Sequence, residues 1–243
     1  MQISILQWNI WYKEDIRNVA KFLLEHPTDI ICLQELTIQN IHEIGHTPDY
    51  IAKRLGYHHF YKEIDLGEGK INIANGIFSR YPIINTKWEW INTATGTDHY
   101  DDEYRAYIEA TLDIGGKKMT VATTHMSYTN AFISTSRKEQ EADKLAAILE
   151  TKKQNFVFTG DLNAPPDVTT INKVSAILNN VGPDFAEKTW TTKPFSYDGF
   201  EETELRWRLD YIFATSDVKT VSAEVLKTEY SDHLPVLAQI KLP

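Results

Sequence analysis

The chain has 243 residues, 42% hydrophobic and 24% charged, the make-up of a soluble globular protein that buries a sizeable core. It contains no apolar run of about 18 residues, so no helix is expected to span a membrane. A net charge of −9 argues against nonspecific tracking along phosphate backbones, and a single cysteine, Cys32, excludes an internal disulfide framework. An acidic protein can still handle polyanions through a local positive site or bound cations. The opening MQISILQWN has neither a basic segment nor a small-residue cleavage site, and it reads as a strand. The expectation is a cytoplasmic monomer. Residues 1–243 are expected to form one domain, because no Gly-, Ser- or Pro-rich linker and no fixed-period repeat divides them.

Residues 2–11 alternate as a strand. Over 13–26, Ile16, Val19, Ala20, Leu23 and Leu24 recur on one helical face, and Pro27 closes the segment. A short buried strand at 29–36 is followed by a helix at 47–55 that stops at Gly56. Strands at 57–64 and 71–79 flank a GEGK turn, and a strand at 84–92 follows RYPI. Strands 105–114 and 118–126 are joined by Gly115-Gly116, a hairpin signal. The clearest helix is 134–150. Ser134, Thr135 or Ser136 can cap it, and Ala142, Leu145, Ala146 and Leu149 line one side. A strand at 155–160, a helix at 168–180 and three strands near 207–214, 218–227 and 234–241 complete the chain. Strands outnumber helices, which fits an α+β protein with two packed sheets and helices outside. A generic α+β domain would give the same pattern.

Five stretches carry the chemistry. ISILQWN stops on Asn9, DIICLQE on Glu35 and MTVATTH on His125; VFTGDLN supplies Asp161 and Asn163, and YSDHLPV supplies Asp232 and His233. An apolar run that ends on a carboxylate, amide or imidazole is a strand delivering its last side chain to a sheet rim. Five such deliveries imply one shared site. The residue types suit a hard divalent cation held by oxygen ligands and a proton moved by imidazole. There is no nucleophile signature, glycine cradle or zinc spacing. The inventory points to metal-assisted hydrolysis of a phosphate ester by water.

Each element also has a plainer explanation. Asp161 and Asn163 point the same way in extended chain, where they could orient a water and a phosphoryl oxygen, and Gly160 lets the backbone pass tightly. The same residues could simply form an Asx turn into Ala164-Pro165-Pro166. Asp232 and His233 are adjacent, so they diverge and need separate tasks, a metal and the phosphorus. Asp210 in RLDYIF is the candidate to orient His233, although local evidence alone favours a salt bridge with Arg206 or Arg208. An acid after so apolar a strand makes Glu35 a metal ligand or half of a salt bridge. Arg105 could neutralise charge on a phosphoryl group or pair with acids of the 98–103 loop.

Asn9, Glu35, GIFSRYPI at 76–83, His125, GDLN at 160–163, LDY at 209–211 and SDH at 231–233 resemble, in order and spacing, the endonuclease/exonuclease/phosphatase superfamily. The resemblance runs from Met1 to Leu242, and its specificity lies in the combination. It implies a four-layer α/β/β/α sandwich of two mostly antiparallel sheets with the site at one rim. It also implies Mg²⁺, with Mn²⁺ as substitute, and in-line attack by water on a phosphoester. Carried onto this chain, Glu35 would bind the metal with help from Asn9 and Asp232. Asp161 would position or deprotonate the water, and Asn163 would hold the phosphate. His233, oriented by Asp210, would stabilise the transition state, and His125 would contact the phosphate from the other side; Arg105, apart from the resemblance, is the candidate to bind substrate.

The branch is less determined. Abasic-site endonucleases usually carry an acidic residue two positions after the first Asn, where this chain has Trp11, and a tyrosine where it has His125; WRLDY at 207–211 does look like that branch. His125 resembles pancreatic-type deoxyribonucleases, sphingomyelinases and inositol-polyphosphate phosphatases, and the compact form is similar to tyrosyl-DNA phosphodiesterases. Trp11, Tyr12, Tyr128, Phe195, Tyr197 and Trp207 could stack on bases, enter a lipid surface or serve as loop packing. The loop GTDHYDDEY at 96–104 reads as a solvated acidic loop that would favour a small or terminal phosphate ester if near the cleft. The sequence therefore supports a Mg²⁺-dependent phosphodiesterase acting on DNA or RNA. The alternatives are a small-molecule or lipid head-group phosphohydrolase and, last, a non-catalytic binding module.

Overall fold

The computed structural model describes residues 1–39, 43–66, 71–95 and 103–243. The expected GEGK turn at 67–70 and most of the acidic loop at 96–104 lie outside the described residues. In chain order the elements are β1 (Gln2–Asn9), α1 (Ile16–Glu25), β2 (Ile30–Thr37), α2 (Thr47–Leu55), β3 (His58–Ile64), β4 (Ile73–Ser79) and β5 (Ile83–Asn92). Then follow β6 (Arg105–Ile114), β7 (Lys117–His125), α3 (Ser136–Leu149), β8 (Phe156–Asp161), α4 (Thr169–Ser175) and β9 (Asn179–Asn180). The chain closes with β10 (Phe195–Tyr197), β11 (Phe200–Glu202), β12 (Asp210–Ala214), β13 (Lys219–Val225) and β14 (Val236–Lys241).

Two six-stranded sheets form, ordered β13-β14-β1-β2-β4-β3 and β5-β6-β7-β8-β12-β9, with β10 and β11 as a separate hairpin. Each large sheet is antiparallel except for one pair, β1 with β2 and β7 with β8. A parallel pair needs a crossover, and α1 and α3 supply them. The sheets pack through a shared apolar core that includes Ile3, Ile5, Cys32 and Ile77 from one and Ile108, Val121, Val157 and Ile212 from the other. On the outer face of the first sheet, Leu6, Trp8, Leu33 and Phe78 meet α1 and α2; on that of the second, Ala122, Phe158, Tyr211 and Phe213 meet α3 and α4. The order is helix, sheet, sheet, helix. Strands covered on both faces explain the near-continuous apolar runs in β1, β2 and β8. Burying each large aliphatic side chain contributes about 1.5–3 kcal/mol.

Local chemistry sets the ends. Asp15 caps α1 by accepting from Arg17 N, so the helix starts later than periodicity indicates. Its buried face uses Phe22, against Trp8 and His26, whereas Leu24 is exposed. Of the three candidate caps for α3, Thr135 accepts from Lys138 N. Gly115 and Gly116, at φ 62° and 89°, make the two-residue turn between β6 and β7 that needs positive φ twice. The helix expected over 168–180 stops at Ser175, because Asn179–Asn180 leaves it to pair with β12. The hairpin β10–β11 was not anticipated: its strands have three residues each, too few for periodicity to register. Among the described residues no helix is long and apolar enough to cross a membrane.

Candidate active site

Sheet topology gathers the candidate residues. β1 and β2 run together, β1 ending at Asn9 while β2 passes Glu35 and ends at Thr37 rather than at Glu35 as the apolar run implied; β7 and β8 run together and end in register at His125 and Asp161. The antiparallel neighbours of these pairs begin at the same rim. Asp210, first in β12, stands opposite Asp161; Arg105 is first in β6; and the turn before β14 carries Asp232 and His233. Asn9, Glu35, Arg105, His125, Asp161, Asn163, Asp232 and His233 all line one cleft of about 600 Å³. Asp210 lies behind it, fully buried.

Backbone conformation turns several of these groups inward. A register shift in the β2/β4 ladder between Leu33 and Leu36 leaves Glu35 at φ 60°, out of the strand's alternation. Its carboxylate accepts from Asn9 Nδ2 at 3.0 Å and from Tyr12 N at 3.0 Å. The Asx turn that sequence offered as the plainer reading of GDLN is present, and it builds the site. Asn163 N donates to Asp161 Oδ1 at 2.9 Å with Asn163 at φ 44°. Gly160 is required beside it, because a Cβ there would lie 2.6 Å from the Thr124 carbonyl oxygen.

Asp161 is the hub. Its Oδ2 lies 3.0 Å from Asn9 Nδ2, 3.4 Å from His125 Nε2 and 3.6 Å from His233 Nε2. Burial pushes this carboxyl up to about 6, although the cationic His233 opposes the shift. His233 Nδ1 bonds Asp210 Oδ2 at 2.9 Å. Burial alone would lower that imidazole, but Asp210, Asp161 and Asp232 outweigh it and raise it to about 10. His125 goes the other way, well below 6.5, through burial and the nearby cations Arg105, His233 and Lys138. Its Nε2 lies 3.1 Å from Asn163 Nδ2, an amide nitrogen that also donates to Met126 O at 2.9 Å. His125 Nε2 therefore accepts and its Nδ1 carries the hydrogen.

The remaining alternatives resolve by contact. Asp210 does not pair with an arginine side chain: Arg206 pairs with Glu204 at 2.7 Å, and Arg208 donates to the carbonyls of Asp210, Pro183, Asp184 and Glu187. Arg105 both lines the cleft and pairs with Glu103 at 2.6 Å. Asp232 diverges from His233 as adjacency required, with its Oδ2 accepting from Trp190 Nε1 at 3.2 Å.

Other contributors left no mark in sequence. Lys138 and Glu141, spaced as ordinary surface residues of α3, are buried at 2% and 1% exposure. Lys138 Nζ donates to the carbonyls of Ser127 and Leu162, and Glu141 accepts from Ser127 N at 3.0 Å, so α3 ties together the loops that follow β7 and β8. Burial brings the Lys138 ammonium down to about 8. Gln7 and Gln34 exchange amide hydrogen bonds behind the site, and Gln7 Nε2 reaches Asp210 Oδ1 at 3.4 Å. Aromatic rings of Tyr128, Phe132, Trp190, Phe195 and Tyr197 wall one side of the cleft and pack on one another.

The donor set suits a divalent cation. Glu35 is half-buried, and among the described residues it has no cationic partner within ion-pairing distance. Burial and then the facing Asp232 raise its carboxyl, a cost that a bound cation would relieve. Asp161, Asp210 and His233 also bring ligand-type atoms within 4.8 Å of one another, but a protonated His233 offers no lone pair to an ion, so this group is a hydrogen-bonded unit rather than a second cation site.

A four-layer sandwich with paired carboxylates, histidines and amides at one rim defines a class of phosphoester hydrolases. The model of the Endonuclease/Exonuclease/phosphatase family matches residues 6–233, and the chain belongs to that family. Its members hydrolyse phosphoester bonds and generally depend on divalent metal ions. No curated protein matches the chain in sequence. Among solved structures, an endonuclease/exonuclease/phosphatase from Beutenbergia cavernae superposes with a TM-score of 0.78 at 22% identity, covering 99% of this chain and 72% of that one. A mannosyl-6-phosphatase of Bacteroides thetaiotaomicron gives 0.70 at 16% identity, with 99% and 100% coverage. TDP2 of D. rerio, complexed with a single-strand DNA product, gives 0.70 at 18% identity, with 99% of both chains covered.

Proposed function

We propose that this chain is a Mg²⁺-dependent phosphodiesterase that cleaves nucleic acid at or near a strand end by attack of water on phosphorus. The observation that carries this reading is His233 set between Asp210 and Asp161 on the floor of a cleft of about 600 Å³ with an aromatic wall. Such a space suits a nucleotide-sized portion of a chain, with its base against the rings and its phosphate over the carboxylates. The DNA-product complex of TDP2, a fold neighbour, supports the substrate class. The family match from 6 to 233 and the core shared by both sheets support one domain over 1–243.

Asp161, brought near 6, accepts a proton from the attacking water at neutral pH. Arg105 donates to phosphoryl oxygens, while Asn163 Nδ2, whose hydrogens go to His125 Nε2 and Met126 O, positions a neutral His125 that adds no second full charge beside His233. His233 keeps its proton through Asp210 and stabilises charge developing on the phosphoryl group, then hands that proton to the leaving oxygen. Glu35, Asp232 and Asn9 would hold Mg²⁺, with Mn²⁺ as substitute. A bound cation there supplies charge neutralisation at the phosphoryl oxygens. In this structure Asn9 Nδ2 bridges Glu35 and Asp161, which keeps two carboxylates together before any cation arrives.

The net charge of −9 and the limited cleft favour a second reading, a small-molecule or lipid head-group phosphohydrolase. A panel of single-stranded and abasic oligonucleotides, a 5′-phosphotyrosyl oligonucleotide, sphingomyelin and an inositol polyphosphate separates the two, with EDTA and Asp161→Asn as controls. Turnover of a nucleic-acid member, abolished by both controls and falling steeply with salt, is expected. Turnover confined to the lipid or inositol members, with weak salt dependence, would refute the first reading and establish the second.

A further inference from the structure

Trp11 follows the site directly and stands in its wall with a left-handed backbone, φ 56°, which a bulky side chain adopts only under restraint. The restraint comes from the site itself. Trp11 N donates to Asn9 Oδ1 at 3.0 Å, and Tyr12 N donates to Glu35 Oε2 at 3.0 Å. The same amide and carboxylate that sit beside Asp161 therefore fix where this indole stands.

Two ammonium groups from distant segments meet that ring. Lys13 Nζ lies 5.6 Å from its centroid and 5.5 Å from that of Tyr12, and Lys193 Nζ lies 5.3 Å from it. Lys193 is held in place by a 2.8 Å hydrogen bond to Glu229 O. All four side chains line the cleft that contains Asp161 and His233. An indole face attracts each cation, but two like charges gathered at one ring repel one another, and an anion bound close to both offsets the repulsion. In a chain of net charge −9 this local pairing runs against the overall balance. An ammonium is a compact partner for a phosphate oxygen, and the aromatic side chains of the same cleft offer rings for a base.

We propose that Trp11, Lys13 and Lys193 form a subsite for a second phosphate of the substrate, one adjacent along the strand to the phosphate that is cleaved. The proposal rests on the nucleic-acid reading above. It makes a phosphorylated end, rather than a bare phosphodiester, the preferred substrate.

The test compares the dinucleotide TpT with pTpT and TpTp, which carry one additional terminal phosphate, in the presence of Mg²⁺ at low ionic strength. At least one phosphorylated form is expected to have a KM lower by about five- to tenfold, the worth of two partly exposed ion pairs. In the Lys13→Ala/Lys193→Ala double variant that ratio is expected to fall to about one. A preference that survives in the double variant, or no preference in the unaltered protein, overturns the subsite. Binding of thymidine 3′,5′-bisphosphate against thymidine 5′-monophosphate, followed calorimetrically in EDTA, reads the subsite without turnover. Tighter binding of the bisphosphate, lost in the double variant, supports it even if no dinucleotide is hydrolysed, in which case only the nucleic-acid reading of the reaction fails. Equal binding of the two nucleotides overturns it.

Discussion

His233 and Asp210 are joined by a 2.9 Å hydrogen bond between Nδ1 and Oδ2, deep beneath the cleft, with both side chains out of solvent. The bond leaves His233 Nε2 facing Asp161 at 3.6 Å, so one imidazole is aligned by one carboxylate and aimed past another. This fixes the ring's orientation and its proton. His233→Ala is expected to lower kcat by about 10²–10⁴-fold. Asp210→Asn should retain part of that activity while moving the His233 imidazole down, which NMR titration of both proteins would reveal. Equal losses with no shift of the imidazole would refute the alignment role.

Opposite charge states of the two histidines follow from their surroundings. With His233 raised to about 10 and its unfolded value near 6.5, its contribution to stability is fully present below pH 6.5 and fades as pH rises toward 10. His125 is depressed, so the folded state binds fewer protons than the unfolded one and stability falls as pH drops below 6.5. In EDTA, imidazole carbon shifts across pH 5–9 should show one cleft histidine charged and one neutral throughout. Two ordinary titrations near 6.5 would contradict the geometry.

Glu35 costs stability in the metal-free protein, since burial and Asp232 both raise its carboxyl. Glu35→Gln should therefore leave the metal-free unfolding temperature unchanged or higher. The Mg²⁺ concentration for half-maximal activity should rise on the order of 10- to 100-fold. A lower unfolding temperature with unchanged metal response would assign Glu35 a structural task.

Gly160 is a tight point of the sheet that carries His125 and Asp161. Gly160→Ala places a methyl group 2.6 Å from the Thr124 carbonyl oxygen, and neither backbone can move without shifting Asp161 against His125. A loss of about 1–3 kcal/mol in urea unfolding is expected, together with a fall in kcat.

Lys138 is expected to act through the loops it ties together. Lys138→Met should lower kcat on the order of 10- to 100-fold by loosening the segments that carry His125 and Asn163. It should also raise the His125 imidazole toward 6.5, because one of the cations depressing it is gone. Reduced stability without movement of that imidazole would mean Lys138 supports the fold alone.

Sequence by itself determined the architecture and named the residues that the fold brings to one rim. Apolar runs covered on both faces declare themselves as buried strands, and the runs that stop on Asn9, His125 and Asp161 end there as strands, whereas β2 continues past Glu35 to Thr37. Pairing was another matter. Asp210 looked bound for Arg206 or Arg208 because those are its neighbours along the chain; antiparallel pairing of β12 with β8 instead sets it opposite Asp161 and under His233. The Asx turn is the form GDLN takes, with Asn163 out of the extended chain at φ 44°, and it still brings Asn163 against His125 beside Asp161. Lys138 and Glu141 carry no apolar signal, so periodicity passes over them, and their burial is decided by the two loops that α3 happens to meet. The short hairpin β10–β11 and the rings around Trp190 owe their place to packing across the cleft rather than to local preference. What is periodic and local can be read along the chain; what depends on which strand ends share a rim belongs to the tertiary fold.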